Sequence, residues 1–152
     1  IRKLPEGHNF TLVCSDLSEL STYATVSNVA YRLIKNNTPG RYTFNLTATK
    51  VLPRLLMTSK RKTIGLRVPD NQIALDLLKA LGEPILSCSL MLPDNEHMTY
   101  SDPEEIRECL ERQVDLIIHG GYLGQEPTTV VDLTEESPVI LREGSGSTAP
   151  FI

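Results

Sequence analysis

The sequence is poor in cysteine, histidine and aromatic residues, and these shortages exclude several classes of protein. It contains 3 cysteines, 3 histidines and no tryptophan, and aromatic residues make up 5% of its 152 positions. Cys14, Cys88 and Cys109 lie far apart without a CxxC pair, which argues against a disulfide framework and favours reduced thiols in the cytosol. Because the histidines also lack the spacing of metal ligands, we expect no metal site.

The chain also lacks a long apolar run and a signal-peptide pattern. No stretch approaches the about 20 apolar residues that a membrane-spanning helix needs. A chain of 152 residues is long enough to bury the core of one domain. We therefore predict a single domain over residues 1–152, located in the cytoplasm and without a membrane partner.

Positive and negative charges are unevenly distributed along the chain. Residues 1–67 contain 11 Lys and Arg against 3 Asp and Glu, whereas residues 68–152 contain 4 against 16, for a net charge of −4. The densest basic cluster consists of Lys60, Arg61 and Lys62. Two interpretations stay open for it, a solvated loop or a contact with the phosphate backbone of RNA.

The middle of the chain predicts a strand, a helix and a second strand. Thr63–Val68 is short and apolar, as expected for a buried strand, and Pro84–Leu90 is again strand-like. Between them, Asp70 is suited to cap a helix that ends at Gly82. The helix carries an apolar stripe: Ile73, Leu77, Leu78 and Leu81.

This unit suggests a binding site for an anion. Arg67 lies at the carboxyl end of the first strand, and Ser87 and Ser89 lie along the second. In open α/β sheets ligands bind at the carboxyl ends of strands, and a guanidinium beside hydroxyls suits a carboxylate or a phosphate. An arginine with a purely structural role is the alternative.

The rest of the chain alternates between strand-like and helix-like segments. We predict strands at Asn9–Cys14, Tyr42–Thr47, Asp115–Ile118, Thr129–Leu133 and Val139–Arg142. We predict helices starting at Asp16, at Val26, at Leu52 and within residues 101–105. The glycine- and serine-rich residues 144–148 are expected to fray. This alternation predicts an α/β or α+β fold with a mixed sheet flanked by helices.

Several motifs in this order resemble those of the YrdC-like family. They are TPGRYT at residues 38–43, RVPDNQIALDLLKALGEPILSCSL at 67–90, DLIIHGG at 115–121, TTVVD at 128–132 and ILREG at 140–144. Each motif is short, but their joint spacing covers nearly the whole chain. The residues of several segments are most similar to those of the YciO branch of that family.

The resemblance implies a fold and a chemistry. Family members have a twisted mixed sheet with helices on its sides and a positively charged cavity. The active members join L-threonine, bicarbonate and ATP into threonylcarbamoyl-adenylate and pyrophosphate, and the product serves tRNA modification. The resemblance therefore implies ATP as ligand or substrate, Mg²⁺ as its accompanying ion, a small amino acid as second ligand, and double-stranded RNA or tRNA as a partner.

The resemblance also assigns residues to subsites. It implies nucleotide binding by Arg2, Thr63 and Arg142. It implies binding of the threonine substrate by Arg67, Ser89 and Thr128. No residue is singled out as catalytic.

The chain departs from the family pattern at three places. The second cation of a Lys-x-Arg motif is replaced by Leu4, and the amide of a Ser-x-Asn motif by Met91. Leucine cannot neutralise a phosphate, and a thioether is only a weak acceptor. The family's Pro-Thr-Asp-Thr-x-Tyr segment has no counterpart, so we expect an N-terminal portion to precede Ile1. Three hypotheses stay open: an adenylate-forming enzyme, a catalytically silent RNA-binding module, and a structural or regulatory protein.

Overall fold

A computed structural model describes residues 1–4, 8, 10–52, 62–91 and 101–152. The chain divides into two compact units. The small unit comprises Ile1–Pro5 and Ser89–Glu126, and the sheet unit comprises Glu6–Cys88 and Pro127–Ile152.

The sheet unit contains most of the secondary structure. Its strands are β1 (Thr11–Val13), β2 (Ala24–Thr25), β3 (Tyr42–Ala48), β4 (Thr63–Arg67), β5 (Ile85–Ser87), β6 (Thr129–Asp132) and β7 (Val139–Arg142). Its helices are α1 (Leu20–Tyr23), α2 (Asn28–Asn36) and α3 (Gln72–Leu81), and a 3₁₀ turn spans Ala149–Phe151. The small unit contains α4 (Pro103–Leu110).

The strands of the sheet unit form one mixed sheet. Its order is β5-β1-β4-β3-β6-β7, and β2 pairs with β3 outside this path. The pairs β1/β4 and β3/β6 are parallel, and the other pairs are antiparallel. The predicted mixed sheet with flanking helices is therefore confirmed.

One face of this sheet is apolar because the strand register aligns apolar side chains in rows. A row crosses six strands through Leu86, Leu12, Leu66, Phe44, Val131 and Ile140. Phe44 and Val131 have no exposed surface. Ala30 and Ile34 of α2 belong to the same core, and Leu75 of α3 packs against it. The helices thus cover this apolar face.

The opposite face is polar in the same register. One row runs through Ser87, Thr11, Gly65, Asn45 and Asp132. Side chains alternate between the faces of a strand, so residues two positions away from this row share its face. A face lined by hydroxyls, an amide and a carboxylate contributes little to the hydrophobic core, and it is the surface on which a polar ligand can lie.

Capping residues explain where three helices begin. The side chain of Ser27 accepts a hydrogen bond from the N–H of Ala30 at the start of α2. Asp102 caps α4, with Pro103 in its first turn, within the helix start predicted at residues 101–105. The prediction of Asp70 as the cap of α3 is wrong, since the cap is Asn71, which accepts from Ala74 N. Asn71 offers the same acceptor one residue later.

Other sequence expectations need correction. The first helix begins at Leu20 and not at Asp16, whose carboxylate accepts from the N–H and hydroxyl of Ser18 in a turn. Asp115–Ile118 is not a strand, and no described strand pairs with it. The predicted helix at 52–57 lies outside the described residues except for the buried Leu52.

The apolar stripe of α3 is only partly buried. Leu78 is buried, whereas Ile73, Leu77 and Leu81 are exposed. The helix itself ends where predicted, at Gly82, whose φ of 77° is the left-handed conformation that glycine adopts without strain.

Candidate anion-binding site

Arg67 ends β4 on the polar face of the sheet. Its side chain is half-buried, and its Nε atom is buried without a hydrogen-bond partner among the described residues. Burial lowers the pKa of the Arg67 guanidinium, and the positive charge of Arg142 lowers it further. A cation that is desolvated and repelled in this way gains from a bound anion.

Arg142 ends β7 and is fixed to the neighbouring strand. Its Nε and Nη2 atoms donate to the carbonyl oxygen of Thr128 at 3.1 and 2.8 Å, and Nη2 lies 3.4 Å from the Thr128 hydroxyl. An irregularity between Val130 and Val131 pairs Val130 with Arg142. The guanidinium is exposed, so its remaining donors can reach a ligand.

A pair of threonines lies beside Arg142. The hydroxyls of Thr43 and Thr128 are 2.8 Å apart. Gly65 neighbours Thr43 on the polar face, since a Cβ added to Gly65 would lie 3.3 Å from Thr43 Cγ2 and 3.0 Å from Thr11 Oγ1. Because Gly65 has no side chain, the surface of the polar face lies close to the backbone at this point. We call Arg67, Arg142, Thr43 and Thr128 the arginine site.

Thr129 holds the segment that follows Arg142. Its side chain has no exposed surface. Its hydroxyl donates to Gly146 O at 2.6 Å and accepts from Gly144 N at 3.0 Å and Gly146 N at 3.1 Å. Ser145 N donates to Pro127 O. The expected fraying of residues 144–148 is therefore wrong, because this segment is hydrogen-bonded to the start of β6.

Glycine is required in this segment for space. A Cβ at Gly144 would collide with Pro127 O and with the carbonyl carbon of Thr128. A Cβ at Gly146 would collide with the Tyr42 ring. The close approach of these backbones keeps Arg142 beside Thr128.

The arginine site presents donors to a ligand. Guanidinium groups have only N–H donors, and a hydroxyl can donate one hydrogen bond. Two positive charges that repel each other in the free protein become complementary to a carboxylate or a phosphate. The arrangement therefore suits binding and orientation of an anion.

Thr63 lies at the other end of β4. It lies four positions before Arg67, which corresponds to roughly 13 Å along the strand. It lines a cavity of about 490 Å³ together with Thr47, Asp132 and Glu135. Carboxylates in this lining disfavour phosphate at that point, and binding of nucleotide by Thr63 stays a prediction.

Two further predicted residues belong to the small unit. The Nη2 atom of Arg2 donates to the thioether of Met91 at 3.4 Å. Ser89 is exposed and lies beyond the end of β5. Their roles stay predictions. Met91, which replaces the amide of the family motif, therefore contacts Arg2, the cation predicted to bind nucleotide, although the two residues are 89 positions apart in the sequence.

The proposed RNA contacts lie mostly outside the described residues. Lys60 and Arg61 are not described, and Lys62 is exposed with a φ of 49°. Within the described ranges, no group of three or more His, Cys, Asp or Glu side chains could hold a metal ion. The helices of the described part of the chain are all too short or too polar to cross a membrane.

Sequence reasoning missed Thr43 and Gly65. Thr43 belongs to the TPGRYT motif and alternates with Tyr42 and Phe44, which places it on the face opposite the core. Its partner Thr128 is 85 residues away. The alternation was readable, but the parallel pairing of β3 with β6 that joins the two threonines was not.

Comparisons with known proteins were consistent in indicating one family. A family model named Sua5_yciO_yrdC, with the description "Telomere recombination", matches residues 1–144. Over its full length the chain is 90% identical to an uncharacterised protein of Haemophilus influenzae and 68% identical to the protein YciO of Escherichia coli K12, and it spans 73% of each. It is 34% identical to a threonylcarbamoyl-AMP synthase of Pyrococcus abyssi over 117 residues, 76% of this chain and 33% of that protein.

Solved structures share the fold. The crystal structure of E. coli YciO superposes with a TM-score of 0.92 at 68% identity and covers 100% of this chain and 73% of that chain. The structure of P. abyssi Sua5 complexed with L-threonine gives a TM-score of 0.80 at 28% identity, covering 92% of this chain and 41% of that one.

Proposed function

Because the chain belongs to the Sua5/YciO/YrdC family, we propose that its arginine site binds ATP and a small amino acid. The reaction in which it takes part is formation of threonylcarbamoyl-adenylate from L-threonine, bicarbonate and ATP, for use in tRNA modification. Relatives include threonylcarbamoyl-AMP synthases, and P. abyssi Sua5 has been solved with L-threonine.

One observation carries this proposal. Arg142, assigned to the nucleotide by resemblance, is hydrogen-bonded to Thr128, assigned to threonine. Arg142 also acts electrostatically on Arg67, the second residue of the threonine subsite. With these assignments the two subsites would adjoin, which supports the proposal, since a reaction that joins an amino acid to a nucleotide needs its reactants side by side.

The residues present fit an anionic nucleotide. Arg142 retains exposed guanidinium donors, and Arg67 has a buried Nε without a partner among the described residues. When bound, ATP would supply the adenylyl group, which passes to the carbamate formed from threonine and bicarbonate while pyrophosphate leaves. Mg²⁺ would be held mainly by the phosphates, since the described residues contain no cluster of ligating side chains for it.

In this proposal each side chain has a separate task. Arg67 binds the carboxylate of threonine, and Thr128 donates a hydrogen bond to the same ligand. Arg142 neutralises charge on the phosphates and stabilises the charge that develops there. The site works by orientation and charge neutralisation.

Release of pyrophosphate tests the proposal. Purified protein with ATP and bicarbonate should release pyrophosphate only when L-threonine is added, and Arg67→Gln should abolish this release. The matched control is Arg107→Gln on the exposed surface of α4, which should leave it unchanged. Release that does not depend on threonine, or none at all from the unsubstituted protein, would contradict the enzymatic proposal.

The alternative function is an RNA-binding module without catalysis. The excess of 11 basic over 3 acidic residues in positions 1–67 favours it. Affinity for double-stranded RNA should then fall steeply as salt increases, and replacing Lys60, Arg61 and Lys62 by Gln should flatten this dependence. Binding that does not respond to salt would argue against the module.

A further inference from the structure

We propose that Thr43, the member of the arginine site to which the proposed function gives no separate task, is a positioning residue of the threonine subsite. Its hydroxyl holds the hydroxyl of Thr128 in the orientation that donates to the carboxylate of the ligand. This inference rests on the proposed function, because it concerns the same site.

The strand register fixes where Thr43 lies. Thr43 pairs with Val130 in the parallel ladder between β3 and β6. Thr43 Cγ2 would lie 3.3 Å from a Cβ added to Gly65, so Thr43 shares the polar face with Arg67, two residues further along β4. Its β-branched side chain has a restricted χ1 angle. Thr43 is therefore a rigid group inside the arginine site.

The hydrogen bonds around Thr128 indicate the direction of donation. The oxygen of its hydroxyl has two lone pairs and one hydrogen. Arg142 Nη2 lies 3.4 Å from this oxygen, and Thr43 Oγ1 lies 2.8 Å from it. If both donate, the two lone pairs are used and the Thr128 hydrogen is left for a ligand. The positive charge of Arg142 favours this orientation, since it attracts the lone pairs and repels the hydrogen.

The consequence is a donor that is oriented before the ligand arrives. A freely rotating hydroxyl would lose this freedom on binding, and a hydroxyl that donated to Thr43 could not also donate to a carboxylate. Thr43 thus makes the subsite selective for an acceptor such as a carboxylate over a donor such as an amide NH₂.

A double-mutant cycle on the 152-residue chain tests this role by calorimetry with L-threonine. Thr43→Val keeps the shape of the side chain and removes the donor, so the dissociation constant should rise about five- to tenfold. Thr43→Ser should restore it. The same Thr43→Val change should have no further effect in a Thr128→Val background, because Thr43 acts through Thr128. Thr25→Val, at an exposed position of β2, is the matched control and should bind as the unsubstituted chain does.

Two results would overturn the inference. One is an unchanged affinity in Thr43→Val. The other is an effect of Thr43→Val that persists in the Thr128→Val background, since Thr43 would then contact the ligand itself.

A readout without ligand separates this inference from the proposed function. Failure of the unsubstituted chain to bind L-threonine would overturn the proposed function. The χ1 angle of Thr128, measured by NMR couplings in the free protein, still decides whether Thr43 positions it. A χ1 angle that becomes averaged in Thr43→Val supports positioning, and one that stays fixed overturns it.

Discussion

Arg67 and Arg142 differ in what surrounds each guanidinium. Arg142 is exposed and bonded to the carbonyl of Thr128, whereas Arg67 is half-buried, with a buried Nε that has no partner in the described part of the chain. A buried charge without a partner lowers the stability of the free protein. Such a group is expected where binding and not packing determines the residue.

Removing the charge of Arg67 should raise the stability of the free protein and abolish its binding of L-threonine. Arg67→Met keeps most of the apolar stem and removes both the desolvation and the repulsion by Arg142. We expect the free energy of unfolding of the free protein to rise by roughly 1 kcal/mol, as measured by urea denaturation, while affinity for L-threonine is lost. A destabilised Arg67→Met would mean that Arg67 has a structural role instead.

Arg142 should matter mainly for the nucleotide. In Arg142→Ala, two donors to Thr128 and one charge are removed. Affinity for ATP should fall at least about tenfold in calorimetry, and Arg107→Ala on α4 serves as control. Unchanged affinity would show that the nucleotide does not bind at the arginine site.

A substitution at Met91 tests whether the reaction can be made faster. Its thioether is a weak acceptor for Arg2, and the related motif has an amide there. Met91→Asn should increase threonine-dependent release of pyrophosphate, whereas Met91→Leu should not. Equal release from both variants would mean that this position does not limit the reaction.

At the scale of elements, the turn after β7 depends on Thr129. The hydroxyl of Thr129 satisfies Gly144 N, Gly146 N and Gly146 O in a buried setting. Thr129→Val would leave these groups without partners, and we expect a loss of about 2–3 kcal/mol in the free energy of unfolding. Thr129→Ser keeps the hydroxyl and should lose less. A larger loss in Thr129→Ser than in Thr129→Val would show that the methyl group and not the hydroxyl stabilises the turn.

The burial of Cys14, the residue that follows β1, predicts how the thiols of the protein react. Cys14 is buried, and its N–H donates to Arg67 O. Burial, followed by the charges of Glu19 and Asp16, raises the pKa of its thiol to about 11. Cys88 and Cys109 are exposed and should react rapidly with a thiol reagent at pH 8, whereas Cys14 should react only on unfolding. Rapid reaction of all three thiols would contradict the packing of this segment.

The raised pKa of Cys14 determines in which direction this group changes the stability of the protein with pH. The folded protein keeps the Cys14 proton up to a pKa of about 11, compared with 9.0 for an ordinary thiol. Between these values the unfolded state binds fewer protons, so this group makes the protein less stable as pH rises from 9 towards 11. Cys14→Ser should remove that part of the dependence in urea denaturation.

Elements were predictable from the sequence where the signal is local. Gly82 ends α3 and Asp102 begins α4, because left-handed backbone and capping need particular residues. Asp115–Ile118 has an apolar pattern typical of a strand but forms none in the described structure, since a strand requires a partner that a local pattern does not specify.

At the scale of the whole molecule, the arrangement of the arginine site depends on strand order. The position of Arg67 at the end of a strand was predictable, and so was that of Arg142. Arg142 lowers the pKa of Arg67 because the strand order β4-β3-β6-β7 brings the two charges within reach of each other. No local sequence pattern contains this strand order. Resemblance to the family predicts that both residues bind ligands, and the register explains why Thr43 lies between their strands.

The central claim is that Arg67 and Arg142 bind two adjoining anionic groups on the polar face of the sheet, the carboxylate of threonine and the phosphates of ATP. The most direct measurement is NMR of the arginine Nε–H groups during titration of the 152-residue chain with L-threonine and ATP. We predict that L-threonine shifts the Arg67 signal and ATP shifts the Arg142 signal, because each arginine donates to one of the two ligands, while the Arg107 signal stays in place. Signals of Arg67 and Arg142 that do not move in the folded protein would contradict the account.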